Sequence, residues 1–145
     1  VTINLIAVGS LKEKYWTDAI KEYQKRLSRF CKLNIIETPE ARTKEEEIKN
    51  IIKKIKGYSI LFDIKGKLLS SEEFSAVFSK KLLEGISCFS LIIGGSEGVD
   101  ESLKKQVDLI VSFGKVTYPH QLMRVILIEQ IYRAITIINN ITYHK

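Results

Sequence analysis

The chain has 145 residues, a single-domain length that buries about two-thirds of the surface of the unfolded chain. With 45% apolar and 28% charged residues it is too hydrophobic to stay disordered, and no apolar run approaches the roughly 20 residues of a membrane span. The net charge of +6 is uneven: residues 1–34 carry seven basic and three acidic side chains, 115–145 four and one, while 57–114 is acidic by two, so the two ends would supply any face that attracts anions. No secretory leader is evident, and a cytoplasmic location is expected.

Ile3–Val8 reads as a buried strand ending at Gly9-Ser10. From Lys12 to Phe30, Tyr15, Trp16, Ala19, Ile20, Tyr23, Leu27 and Phe30 recur at steps of three and four, predicting an amphipathic helix with Lys14, Lys21, Lys25 and Arg29 on its polar side. Lys32–Glu37 is a short strand. Thr43-Lys44-Glu45-Glu46 opens a helix to about Lys56. Tyr58–Ile64 is a second buried strand, with Lys65-Gly66-Lys67 read as the turn after it. Ser70 caps a helix carrying Phe74, Val77, Phe78, Leu82 and Leu83, which stops at Gly85.

Phe89–Ile93 is a third buried strand and runs into Gly94-Gly95-Ser96-Glu97-Gly98; a short helix over Glu101–Gln106 and a strand over Leu109–Phe113 follow. Gly114–Pro119 is a loop, and His120–Ile138 a helix apolar around nearly its whole circumference. Alternating strands and helices imply one α/β domain: a mainly parallel sheet with helices on both faces and ligands beyond the carboxyl ends of the strands. The loops 65–69, 94–98 and 114–119 meet there. An all-apolar helix in so small a domain calls for a second partner, expected to be another copy of the chain, with Ile128 and Ile135 on the dimer face.

Two regions carry chemistry. The glycine-rich turn fits neither the dinucleotide fingerprint nor a phosphate-binding Gly-Lys-Ser/Thr loop, yet its glycines let a flat group lie against the backbone. Residues 113–124 place a glycine, hydroxyls, a ring, a proline, His120 and Arg124 at one loop-to-helix junction. That junction suits a binding loop, or simply a helix start with His120 as a polar first-turn residue. Cys31 and Cys88 read as buried thiols, and two histidines are too few for a Cys/His zinc site, so no metal is expected. Glu129 and Arg133 have the spacing of an ordinary surface pair.

The stretches Leu5–Gly9, Leu11–Tyr15, Lys25-Arg26-Leu27, Gly66-Lys67, Ile92–Ser96, Thr117–Arg124, Leu127–Ala134 and the terminal Tyr143-His144-Lys145 together resemble the RlmH family. These are small SPOUT-superfamily enzymes that methylate N3 of a pseudouridine in 23S ribosomal RNA. The resemblance implies an α/β fold with a C-terminal trefoil knot, a homodimer acting on the ribosome, and S-adenosylmethionine held by Phe62, Gly94, Phe113, Gly114, Lys115, Val116, Thr117 and Tyr118. Gly114 departs from the family, which has a serine there. For catalysis the expected helpers are His120 and His144 as bases, Arg124 as a partner for charge on the base carbonyls, and Tyr143 as a stacking ring. Two other readings stay open at this point: a non-catalytic RNA- or ribosome-binding protein, and a different α/β enzyme with a nucleotide cofactor.

Overall fold

The computed structural model describes residues 1–95 and 99–145. Ser96, Glu97 and Gly98 of the expected glycine turn lie outside the described residues. The elements are β1 (Thr2–Val8), α1 (Lys14–Leu27), β2 (Lys32–Thr38), α2 (Lys44–Ile52), β3 (Tyr58–Leu68), α3 (Ser71–Leu83), β4 (Cys88–Ile93), α4 (Glu101–Lys104), β5 (Leu109–Ser112) and α5 (His120–Ile138). The five strands form one sheet in the order β2-β1-β4-β3-β5, and every pairing is parallel. The α/β architecture expected from the alternation of elements is the one observed.

Strand alternation sorts the core into two layers. Ile3, Leu5, Ile60, Phe62, Phe89 and Leu91 point to the side covered by α1, α3 and α5; Ile6, Leu61 and Ile92 point to the side covered by α2 and α4. The first layer is the larger. Phe74 and Phe78 of α3 are 0% and 1% exposed there, and truncating either to alanine would cost about 3–5 kcal/mol. Ile128 and Ile135 belong to this layer too, at 0% and 6% exposure, so they are core residues and not the outward dimer positions expected from the helical wheel. The apolar circumference of α5 has a nearer cause: α1 packs along one flank and α3 along the other.

Local signals account for most boundaries. The Ser70 hydroxyl accepts from Glu73 N while the Glu73 carboxylate accepts from Ser70 N, a complete capping box; Thr43 and Asp100 cap α2 and α4 by the same hydroxyl- or carboxylate-to-amide bond. Helix α2 ends at Ile52, short of Lys56, because its last turns tighten: Lys54 N donates to Ile51 O and Ile55 N to Ile52 O. One boundary is overturned. Lys65-Gly66-Lys67 is not a turn, since β3 continues through it to Leu68 with a break in register. Phe62 and Lys67 both pair with Val111 of β5, and residues 63–66 between them are extra chain.

Candidate active site

The chain leaves the sheet at β5, which is an edge strand, yet the first turns of α5 are fastened to β1, three strands away. Arg124 makes that attachment. One of its terminal nitrogens lies 2.6 Å from Glu37 Oε2 at the end of β2; the other donates to the carbonyls of Val8 at 3.0 Å and Gly9 at 2.8 Å. Residues 113–124 therefore cross over the carboxyl ends of β3 and β4. Beneath the crossing lies a cavity of about 250 Å³.

Three strands and the residues that follow them supply its walls: Phe62, Asp63 and Ile64 from β3, where its bulge begins, Ile93, Gly94 and Gly95 at the end of β4, and Ser112, Phe113 and Gly114 at the end of β5, with Val116, Thr117, Tyr118, His120 and Met123 from the crossing segment. The Phe62 and Phe113 rings stand 5.2 Å apart and both contact fully buried Phe74, at 5.9 and 5.4 Å, so this apolar surface is braced by the core. Ser112 fixes the turn that follows: its hydroxyl accepts from Gly114 N at 3.1 Å and donates to Gly114 O at 3.0 Å. Gly114 has φ +120°, a conformation for glycine, with nothing within 4 Å of the place a Cβ would take. That backbone is the physical context of the missing serine: the space is open, but the torsion is not one a serine adopts without strain.

Seven of the eight expected cofactor residues line this one cavity; Lys115 is exposed and lies outside the lining. His120 joins them, half-buried. Burial, with the charge of Arg124 second and Glu47 opposing, lowers its pKa below the ordinary histidine value, so the imidazole is neutral at neutral pH. The other expected helpers are elsewhere. Arg124 has a side chain only 4% exposed and its partners are protein atoms, which makes it a clamp and not a free cation facing the cavity.

The tail folds back onto the far end of α5. Asn140 takes φ 54°, turning the chain so that Ile141 N donates to Thr136 O. Tyr143 then packs edge-on against Tyr132 at 4.8 Å and under the Arg133 guanidinium at 4.8 Å. Its hydroxyl is pushed up to about 12 by burial, then by a hydrogen bond with Tyr23 and the charge of Glu129. His144 bridges two helices, with Nε2 2.5 Å from Glu72 Oε1 and Nδ1 3.0 Å from an Arg133 nitrogen. A neutral ring with the proton on Nε2 satisfies both contacts. Glu129 and Arg133 are not a surface pair: at 2.7 Å, with side chains 18% and 24% exposed, they anchor this cluster.

Sequence reasoning missed Asp63, Ser112 and Met123 in the wall, and Glu37 altogether. A signal for the last was present. Arg124 is in phase with Leu127, Ile128, Ile131 and Ile135 on the buried stripe of α5, and a buried arginine requires a carboxylate. Of the two cysteines, Cys31 is buried, which raises its thiol pKa, and Cys88 is half-buried; both are free.

Comparison with known proteins gives one consistent result. A family model described as a predicted SPOUT methyltransferase matches residues 1–144. The ribosomal RNA large subunit methyltransferase H of Ruminiclostridium cellulolyticum is 46% identical over 157 aligned positions that cover 99% of this chain and 99% of the relative. The protein of the same name from Streptococcus equi subsp. zooepidemicus is 45% identical with the same coverage.

Proposed function

This chain belongs to the SPOUT methyltransferase family, and on that premise we propose that it transfers a methyl group from S-adenosylmethionine to N3 of a pseudouridine in 23S ribosomal RNA, acting in the cytoplasm as a homodimer on the large subunit or whole ribosome. The observation that carries the reading is the cavity under the 113–124 crossing, which gathers Phe62, Gly94, Phe113, Gly114, Val116, Thr117 and Tyr118 from three separate strands and the segment after the last. The names of full-length relatives support the RNA substrate, and the basic ends of the chain suit an anionic partner. The trefoil knot remains part of the proposal; the run of α5 from edge strand β5 to the end of β1 supports it.

The residues present fit the cofactor. Phe62, Phe113 and Ile93 offer apolar surface to a flat adenine, the glycines leave backbone groups accessible, and among the described residues the lining has no phosphate-binding pattern, as suits a ligand without phosphate. Bound there, the cofactor supplies an electrophilic methyl on its sulfonium. The protein contributes position, so no metal is assigned. His120, neutral and in the wall, is the group of this chain best placed to take the N3 proton. Arg124 is a positioning residue: by tying α5 to β1 and β2 it holds the crossing segment over the cavity.

Tyr143 and His144 keep a part only across a dimer. Their anchor Arg133 stands 13 residues beyond His120 on α5, roughly 20 Å along the helix axis, and neither Tyr143 nor His144 lines the cavity of its own chain. A partner's tail does so if the two helices meet. Mixing a His120→Ala chain with a chain lacking residues 143–145 tests this arrangement, because activity returns only if the two elements come from different subunits.

The deciding experiment is methyl transfer from labelled cofactor to ribosomal RNA, subunits and ribosomes, with the modified base located. Label at a pseudouridine N3 is expected. Binding of RNA with no cofactor heat and no label would replace the reading by that of a binding module.

A further inference from the structure

The extra residues in β3 are not needed to complete the sheet, since Phe62 and Lys67 pair with the same residue of β5. The bulge at 63–66 is nevertheless a fixed structure. The Asp63 carboxylate accepts from Lys65 N at 3.1 Å and stands 3.8 Å from Lys104 Nζ. At Gly66 the strand returns so close to β5 that a Cβ would sit 2.8 Å from backbone atoms of Ile110 and Val111. Such bulges re-aim side chains beside active sites.

This one aims them outward at the cavity mouth. Ile64, 53% exposed, lines the opening, and Val116, 64% exposed, lines it from the crossing segment. Single exposed aliphatic residues need no explanation; two on one opening do. Lys65, Lys67 and Lys115, each next to one of them or one turn of strand away, are exposed. None of the three is in an ion pair among the described residues, although Glu73 lies within the field of Lys67. The basic face of α1 is the weaker candidate for a contact at this site, because none of its cations lines the cavity and Lys14 already pairs with Asp18 at 2.7 Å.

We propose that the β3 bulge and the facing 115–116 residues form the RNA-strand contact of the active site, with Lys65, Lys67 and Lys115 on phosphates flanking the target nucleotide and Ile64 and Val116 against its extruded base. The inference rests on the methyltransferase reading above. A base methylated at its pairing edge must leave its stack, and an apolar clamp beside the cofactor receives it, while flexible ammonium groups neutralise phosphates without fixing sequence.

The test uses the full chain with large ribosomal subunits and whole ribosomes. In Lys65→Gln/Lys67→Gln/Lys115→Gln, the slope of log affinity against log salt should shrink by about 2 and the KM for RNA rise roughly tenfold, with cofactor affinity unchanged. Ile64→Ser/Val116→Ser should instead lower kcat with the salt slope intact. All five side chains are exposed, so thermal melting should not move. A triple variant with wild-type slope and KM overturns the proposal. So does a lip variant whose only effect, by light scattering, is on association between copies. An unmutated protein that neither binds nor methylates large subunits or whole ribosomes would instead defeat the underlying reading.

Discussion

Arg124 and Arg133 lie on the same helix and each pairs with a glutamate, but the two ends of α5 are built for different purposes. At the first end the guanidinium is 4% exposed and caps two strand carbonyls as well as Glu37, so the pair joins three elements that are distant in sequence. At the other, Arg133 and Glu129 are four residues apart and partly solvated, and what they hold is the chain terminus. The same ion-pair chemistry thus gives a clamp where the guanidinium is buried and an anchor for the terminus where it is partly solvated, because the penalty for an unpaired charge grows with burial. The clamp shapes the cavity; the anchor decides where the tail is.

The comparison breaks most visibly at the clamp. Arg124→Ala takes the guanidinium from the Val8 and Gly9 carbonyls and leaves Glu37 with the Leu11 amide as its donor, and should cost about 3 kcal/mol, at the low end for a buried pair because Glu37 is 40% exposed. Denaturant titration should show the lower midpoint, and calorimetry the loss of cofactor binding as the crossing segment loosens. Retained cofactor affinity in a folded Arg124→Ala protein would contradict the clamp.

At the tail the expected pattern is reversed. Removing residues 143–145 should leave the midpoint and cofactor affinity nearly unchanged but lower turnover at least about tenfold, equivalent to about 1.4 kcal/mol of transition-state stabilisation. Normal methylation by the shortened chain would reduce the tail to packing.

The smallest effect sharpens the contrast through pH. His120 has its folded pKa depressed by burial and Arg124; the neutral form is favoured in the folded chain, so its contribution to stability is full above the ordinary histidine value of 6.5 and is lost as pH falls through the lower folded value. As the base, it should give kcat/KM an acid limb below that ordinary value, and His120→Gln should remove the limb. Glu72, whose carboxyl is held low first by His144, should keep the tail contact until the pH falls below the ordinary carboxylate range. An acid limb that persists in His120→Gln but vanishes on tail deletion would move the proton-transfer role to His144.

What the sequence determined by itself was whatever depends on neighbours in the chain. Steps of three and four gave α1 and α5, hydroxyl-to-carboxylate spacing gave the caps at Thr43 and Ser70, and apolar runs gave the strands of a parallel sheet, because each rests on contacts within a turn or two. The words Pro-His-Gln-Leu-Met-Arg and Tyr-His-Lys carried the family. What only the tertiary structure decided were the matters set by strand order. That β5 lies at the edge while α5 is anchored at β1 put seven of the expected residues around one cavity, left Lys115 outside it, and sent the tail to the opposite end of its own helix. The same cause made Ile128 and Ile135 core, since a helical wheel records how much of a helix is apolar but not how many neighbours cover it. Nor could Lys65-Gly66-Lys67 reveal a bulge, for a glycine between lysines looks like a turn until the backbone of β5 is found against it.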